Sequence, residues 1–189
     1  MTRDWSIAAA VGLAAFAVPH IAVAAEYMSV EQAQKSLFPK ADRFDEVVLA
    51  LSPAQKQQVA ALAGPQPPHR SLRSWKALEG DELLGYVFVD EVVGRQDFIT
   101  YAAAIDTSGR LGTLEVLAYR ESHGGEVRGD AWRHQFVGRS SLDQLHFEAD
   151  IKNIAGATLS CGHVTQGVRW LVALWEVSLR SSGGTSPAA

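Results

Sequence analysis

The residues best suited to chemistry are a threonine, the three small residues before it and the helical pattern after it. Ala155, Gly156 and Ala157 lead directly into Thr158. Apolar residues then recur at helical spacing, at Val164, Val168, Leu171 and Trp175. The order is therefore a tight turn, a hydroxyl and a helix N-terminus, where open N–H groups and the positive end of the helix dipole favour phosphate. From the residues alone, three roles stay open for the Thr158 hydroxyl: capping the helix without a ligand, contacting a phosphate, or being esterified to one.

The same segment resembles the flavin-attachment motif of the FMN-binding domain family. These are extracytoplasmic domains found in the C and G subunits of sodium-pumping and Rnf-type electron-transfer complexes. The family pattern is Ser-Gly-Ala-Thr, an aliphatic residue and two small hydroxyl residues. It is matched here at Gly156, Ala157, Thr158, Leu159 and Ser160. The resemblance implies that Thr158 carries FMN through a phosphoester bond and that its neighbours in the motif contact the cofactor.

Three positions depart from the pattern. Ala155 replaces a Ser or Thr, although the resemblance still places it at the cofactor. Lys152 stands where the family often has Asp, and Cys161 replaces the second hydroxyl residue. Asp150, two residues before Lys152, is a candidate substitute for the missing carboxylate. These departures motivate a second hypothesis, in which the domain serves as a non-redox sensor or assembly module without flavin.

A second segment, residues 119–139, supports the resemblance. Related domains have a Glu, a Gly-containing turn, an aromatic residue, Gln-Phe and Gly-Lys in this order. The matching residues here are Glu121, Gly124-Gly125, Trp132, Gln135-Phe136 and Gly138-Arg139. In relatives the loop lies beside the isoalloxazine ring, which implies that Glu121, Gly124 and Gly125 border the flavin. Tyr101, Tyr119 and Trp132 are expected either to stack on the flavin or to pack in the core.

The N-terminus has the pattern of an export signal. Residues 1–24 contain a short apolar run that ends at Ala22-Val23-Ala24, a small-x-small cleavage site. We therefore expect a periplasmic or other extracytoplasmic protein with a mature start near Ala25. An uncleaved signal would serve as a marginal membrane anchor. Residues 25–180 are predicted to form one FMN-binding domain, and residues 181–189 a disordered tail.

Composition narrows the function classes. With 189 residues, 47% hydrophobic and 20% charged, the chain fits one globular domain. A net charge of −4 argues against a nucleic-acid partner. Cys161 is the only cysteine, so neither an intrachain disulfide nor a Cys-based metal site is expected. The sequence lacks the Gly-x-Ser-x-Gly elbow of a serine hydrolase, and we assign no catalytic residue and no metal ligand.

The chain is thus predicted to be an electron carrier rather than a stand-alone enzyme. The resemblance implies a flavin transferase as maturation partner and a membrane or periplasmic redox partner. A third hypothesis is a flavin-dependent periplasmic reductase, which would turn over a small molecule without a partner protein.

The elements that must position these residues follow from local patterns. Helices are predicted at residues 29–38, 52–63 and 160–179, the first two with capping boxes. Strand-like runs at residues 83–93, 97–105 and 111–119 are separated by short turns, which favours an antiparallel meander. The predicted fold is therefore α+β, with one antiparallel sheet and the long C-terminal helix laid on one of its faces.

Overall fold

An antiparallel meander forms the centre of the molecule, as the short turns predict. The computed structural model describes residues 25–64, 71–120, 124–140 and 142–180. The strands are β1 (Ala25–Glu26), β2 (Arg43–Glu46), β3 (Arg73–Glu79), β4 (Glu82–Val93), β5 (Phe98–Asp106) and β6 (Leu111–Tyr119). They form one sheet in the order β1-β6-β5-β4-β3-β2, and every neighbouring pair is antiparallel.

Four α-helices accompany the sheet in the part of the chain that the structure describes. They are α1 (Val30–Leu37), α2 (Pro53–Ala63), α3 (Asp130–Arg133) and α4 (Thr158–Ser178). The capping boxes predicted for the first two are present: the Ser29 and Ser52 hydroxyls each accept the backbone N–H three residues on, at 3.2 Å. The predicted α+β class is confirmed, as a single domain.

Both faces of the sheet are covered, which explains why its central strands are hydrophobic almost throughout. On one face α2 and α4 pack over a core that includes Phe88 and Tyr101. On the other face α1 covers a smaller cluster that includes Val87 and Ala102. Neighbouring residues of one strand therefore enter different cores, because side chains alternate across a sheet.

Three strands were not predicted from the sequence. β3 has no clean alternation of polar and apolar residues, and its buried positions include Ser74. β2 is a short, charged edge strand, and β1 has only two residues. All three owe their conformation to pairing with a longer strand, which local patterns do not report.

The predicted signal (residues 1–24) and tail (residues 181–189) lie outside the described residues. Ala25, the predicted mature start, pairs with Tyr119 of β6. Among the described helices, none combines the length and the apolar character that a membrane crossing requires.

Candidate functional site

The helix N-terminus predicted to bind phosphate lies one residue earlier than a capping threonine would require. α4 begins at Thr158 itself, and Ala157 is the N-cap residue, with no side chain among the described residues capping the helix. The alternative of a capping Thr158 is therefore wrong. The first α-helical bond runs from the Cys161 N–H to the Ala157 carbonyl, at 2.9 Å. The N–H groups of residues 158–160 precede that bond, so the helix itself provides them with no acceptor.

The turn before the helix is open on its outer side. Gly156 has a φ of +87°, and apart from its two chain neighbours no described residue has an atom within 4 Å of the position its Cβ would take. Ala155, Gly156 and Thr158 are exposed, whereas Ala157 is buried. The Ala157 N–H donates to the Ile154 carbonyl at 2.9 Å and closes the turn. The Thr158 hydroxyl thus faces accessible space beside a backbone that carries no bulky side chain.

Residues of the second predicted segment, 119–139, hold the backbone that leads into this turn. The indole N–H of Trp132 donates to the Lys152 carbonyl at 2.9 Å, and the Lys152 N–H donates to Gln135 Oε1 at 2.8 Å. Arg139 adds a donor to the Asp150 carbonyl at 3.1 Å. The side chains of Trp132 and Gln135 therefore hold in place the backbone that leads to Thr158.

The aromatic residues for which sequence left two roles open belong to the core. Trp132 is buried and packs edge-on against Phe136, with ring centroids 5.1 Å apart. Tyr101 is fully buried and its hydroxyl donates to Asp90 at 2.8 Å. Tyr119 is buried as well. The structure supports packing rather than flavin stacking for all three.

Gly124 brings the glycine loop against the start of α4. Its φ is +87°, and a Cβ there would lie 2.6 Å from the Tyr119 hydroxyl, 3.1 Å from Ser160 Oγ and 3.4 Å from the Ala157 Cα. Gly125 follows and opens a 3₁₀ helix, Gly125–Arg128. Tyr119 and Ser160 hydrogen-bond each other at 3.0 Å. Of the predicted site residues, Glu121 lies outside the described residues.

Sequence reasoning missed a direct neighbour of the threonine. The Asn153 amide donates to Thr158 Oγ1 at 2.9 Å, and both residues are exposed. No spacing rule singles out this asparagine, since the contact depends on the shape of the turn. On the helical side, Leu159 leaves 49% of its surface exposed next to Thr158.

The charged residues nearby are engaged with other groups. The Lys152 ammonium donates to the Ala149 carbonyl at 2.7 Å and to the Glu148 carbonyl at 3.2 Å. Asp150 accepts the backbone N–H of His146 at 2.9 Å. That bond, together with a second from the His146 ring, lowers the pKa of Asp150 below its ordinary value. Asp150 is therefore committed to His146 rather than standing in for a carboxylate at position 152.

Electrostatics at the helix start suit an anion. The first turn of α4 contains no acidic residue of its own, although the Glu126 carboxylate, from the 3₁₀ helix, acts on Cys161 in that turn. His163, one turn on, directs Nδ1 at the Val93 and Gly94 carbonyls and ties the β4–β5 turn to the helix. Burial raises the pKa of the Cys161 thiol, which keeps it neutral and unreactive. Among the described residues, no three His, Cys, Asp or Glu side chains gather as a metal site.

Among the described residues, two grooves lie away from Thr158. Grooves of about 530 Å³ and 290 Å³ both border residues 47–51. The larger is lined by Trp170 and Leu174, from the middle of α4. Trp170 is ~18 Å along the helix from Thr158 at 1.5 Å per residue. The exposed turn around Thr158, with Asn153, Gly156 and the backbone N–H groups of residues 158–160, forms what we call the phosphate cradle.

The cradle fits the phosphate end of a flavin mononucleotide. Three N–H groups at residues 158–160, the Thr158 hydroxyl and the Asn153 amide supply donors. Gly156 has no side chain that would block the access of a phosphate to these donors.

Part of the chain matches a known protein family. Residues 94–173 match the sequence model of the FMN-binding domain family. The matched stretch includes β5, β6, the glycine loop and the first sixteen residues of α4. No curated protein matches the chain. The chain therefore carries an FMN-binding domain and is a flavin-binding protein, with FMN as the cofactor that the domain indicates.

Proposed function

We propose that this protein is an exported electron carrier whose FMN is attached to Thr158 by a phosphoester bond. The observation that carries the proposal is the position of the Thr158 hydroxyl. It is exposed, it is the first residue of α4, and it lies beside helix N–H groups that no side chain of the described residues caps. A threonine that served only to cap the helix would stand one residue earlier and bond inward.

The attachment is a transfer reaction in which this chain is a substrate. Thr158 Oγ would attack the FMN phosphorus of FAD, with loss of the hydroxyl proton. The pyrophosphate P–O bond breaks, AMP leaves, and FMN remains esterified to the threonine. A free Thr hydroxyl is a weak nucleophile, so a separate flavin transferase must supply the base. The residues of this chain contribute position, and the helix start contributes favourable charge for the phosphate.

The surface position of the cradle suits a carrier. FMN supplies the redox chemistry when bound, and the protein supplies orientation and tuning. Ala155, Gly156 and Leu159 are exposed around the threonine, so a cofactor held there would be within reach of a membrane or periplasmic redox partner. Export, which the N-terminal pattern predicts, gives covalent attachment a purpose, since a cofactor released outside the cytoplasm would be lost.

The test is the intact mass of the mature protein after incubation with a flavin transferase and FAD. We expect the parent and Thr158→Ser to gain the mass of one FMN less one water. Thr158→Val keeps the shape of the side chain without the hydroxyl and should gain nothing. A yellow colour that is lost on denaturation would replace the covalent proposal with non-covalent FMN. A colourless parent would favour the non-redox module.

Electron relay is tested separately on the loaded protein. Anaerobic reduction followed by mixing with an oxidised periplasmic electron acceptor should restore the oxidised flavin spectrum in proportion to the acceptor added. Signal removal is tested by N-terminal sequencing of the exported protein, where we expect Ala25 as the first residue. Steady turnover of a small molecule without any partner protein would instead identify a reductase.

A further inference from the structure

The second polar group at the attachment site is the Asn153 side chain. Its amide Nδ2 lies 2.9 Å from Thr158 Oγ1 and donates to it. Both side chains are exposed, so the bond contributes little to the core and is not needed to satisfy buried groups.

The backbone on both sides of this pair is held in place. Lys152, directly before Asn153, is bonded through its N–H to Gln135 and through its carbonyl to Trp132, at 2.8 Å and 2.9 Å. Directly before Thr158, Ala157 is buried and donates to the Ile154 carbonyl at 2.9 Å. The fold therefore holds the turn in the shape that brings the Asn153 amide to the Thr158 hydroxyl.

We propose that Asn153 is the positioning residue for flavin attachment, a role that rests on the proposed function of Thr158. Before transfer, its N–H occupies one lone pair of Oγ1. The hydroxyl proton then points away from the turn, towards a base on the transferase. The same contact selects one rotamer of the threonine side chain.

Asn153 also favours the reaction as it proceeds. When Oγ1 becomes an ester oxygen it loses most of its power to accept hydrogen bonds, while charge collects on the non-bridging phosphate oxygens. The asparagine amide has two N–H groups and can pass from Oγ1 to one of those oxygens. A hydrogen bond to an anion is stronger than one to a neutral hydroxyl, so the amide stabilises the transfer state more than the starting state.

The experiment compares transfer kinetics for three chains: the parent, Asn153→Ala and Asn153→Asp. Each is incubated with flavin transferase and FAD, and loading is followed by intact mass. We expect Asn153→Ala to lower kcat roughly ten- to a hundred-fold, the size of one lost hydrogen bond to a charged group. Asn153→Asp should lose more, because a carboxylate lacks the donor and repels the incoming phosphate. The KM for the acceptor chain should stay within about two-fold of the parent.

The order of the two variants separates positioning from a structural role. Aspartate has the shape of asparagine, so a residue needed only for the turn would tolerate Asp better than Ala. Equal loading of all three chains, faster loading of Asn153→Asp than of Asn153→Ala, or a loss confined to KM would each overturn the proposal. Failure of the parent to load would instead refute the attachment at Thr158, and the role of Asn153 with it. Thermal unfolding of the unloaded variants should match the parent.

Discussion

Substitution of Gly124 tests whether the glycine loop is built against the start of α4. Alanine at this position is destabilising for two reasons. The φ of +87° is unfavourable for any residue with a Cβ and costs ~1–2 kcal/mol. The added Cβ would also lie 2.6 Å from the Tyr119 hydroxyl, which is bonded to Ser160, and separating that buried pair costs ~1–3 kcal/mol.

Substitutions at two further glycines separate the backbone strain from the overlap with Tyr119. Gly156 has the same φ of +87°, but apart from its chain neighbours no described residue comes within 4 Å of its Cβ position, so Gly156→Ala reports backbone strain alone. At Gly125 φ is not in the left-handed region and the Cβ would lie 4.0 Å from the Tyr119 ring, so Gly125→Ala is the control without strain or overlap. Alanine also recovers ~0.4–1 kcal/mol at each site by restricting the unfolded chain.

The expected order in free energy of unfolding follows from these values. Gly124→Ala should lose about 2–4 kcal/mol and Gly156→Ala about 1 kcal/mol, whereas Gly125→Ala should gain up to about 1 kcal/mol. The assay is urea unfolding of the unloaded mature protein, followed by tryptophan fluorescence, with m-values compared to verify a common transition. If Gly124→Ala lost no more than Gly156→Ala, the close approach of Gly124 to Tyr119 and Ser160 would be refuted.

Two further predictions concern the helix and the segment before the site. Gly167→Ala should destabilise the domain by about 1–3 kcal/mol despite the better helix propensity of alanine, because the new methyl overlaps the Tyr101 hydroxyl. The control is Gly162→Ala, whose methyl would make only ordinary contacts and which should be neutral or stabilising. Equal denaturation midpoints for the two variants would contradict this packing. Asp150→Asn should lower stability at neutral pH, because the hydrogen bonds from His146 lower the pKa of Asp150 in the folded state. That contribution is present above the ordinary carboxyl pKa and disappears as pH falls through the lowered one, so the difference between parent and variant should vanish in acid; a difference that persists at pH 2 would show another cause.

The sequence was most informative where structure is local. Both capping boxes were predicted because a serine and a glutamine three residues apart complete each other's hydrogen bonds without help from the rest of the chain. The meander was predicted because links of a few residues allow only antiparallel return. The small residues before Thr158 and the helical period after it likewise marked the helix start to within two residues.

Sequence reasoning failed where a residue depends on distant partners. β3 is a strand because β4 and β2 pair with both its edges, and its own residues alternate poorly. The sequence around Trp132 does not distinguish a ring that stacks on a cofactor from one that donates to a backbone carbonyl. Only its burial and its bond to Lys152 decided between the two.

For the site itself, sequence by itself determined the reactive type and its local setting, a threonine between a glycine turn and a helix. Tertiary structure decided that Thr158 is the first helical residue rather than the cap, that Asn153 reaches its hydroxyl, and that Gly124 closes against Ala157 and Ser160. The reason is physical. A turn or a cap is fixed by bonds among neighbours in the chain, whereas the meeting of the glycine loop with α4 depends on how the whole sheet and its helices pack.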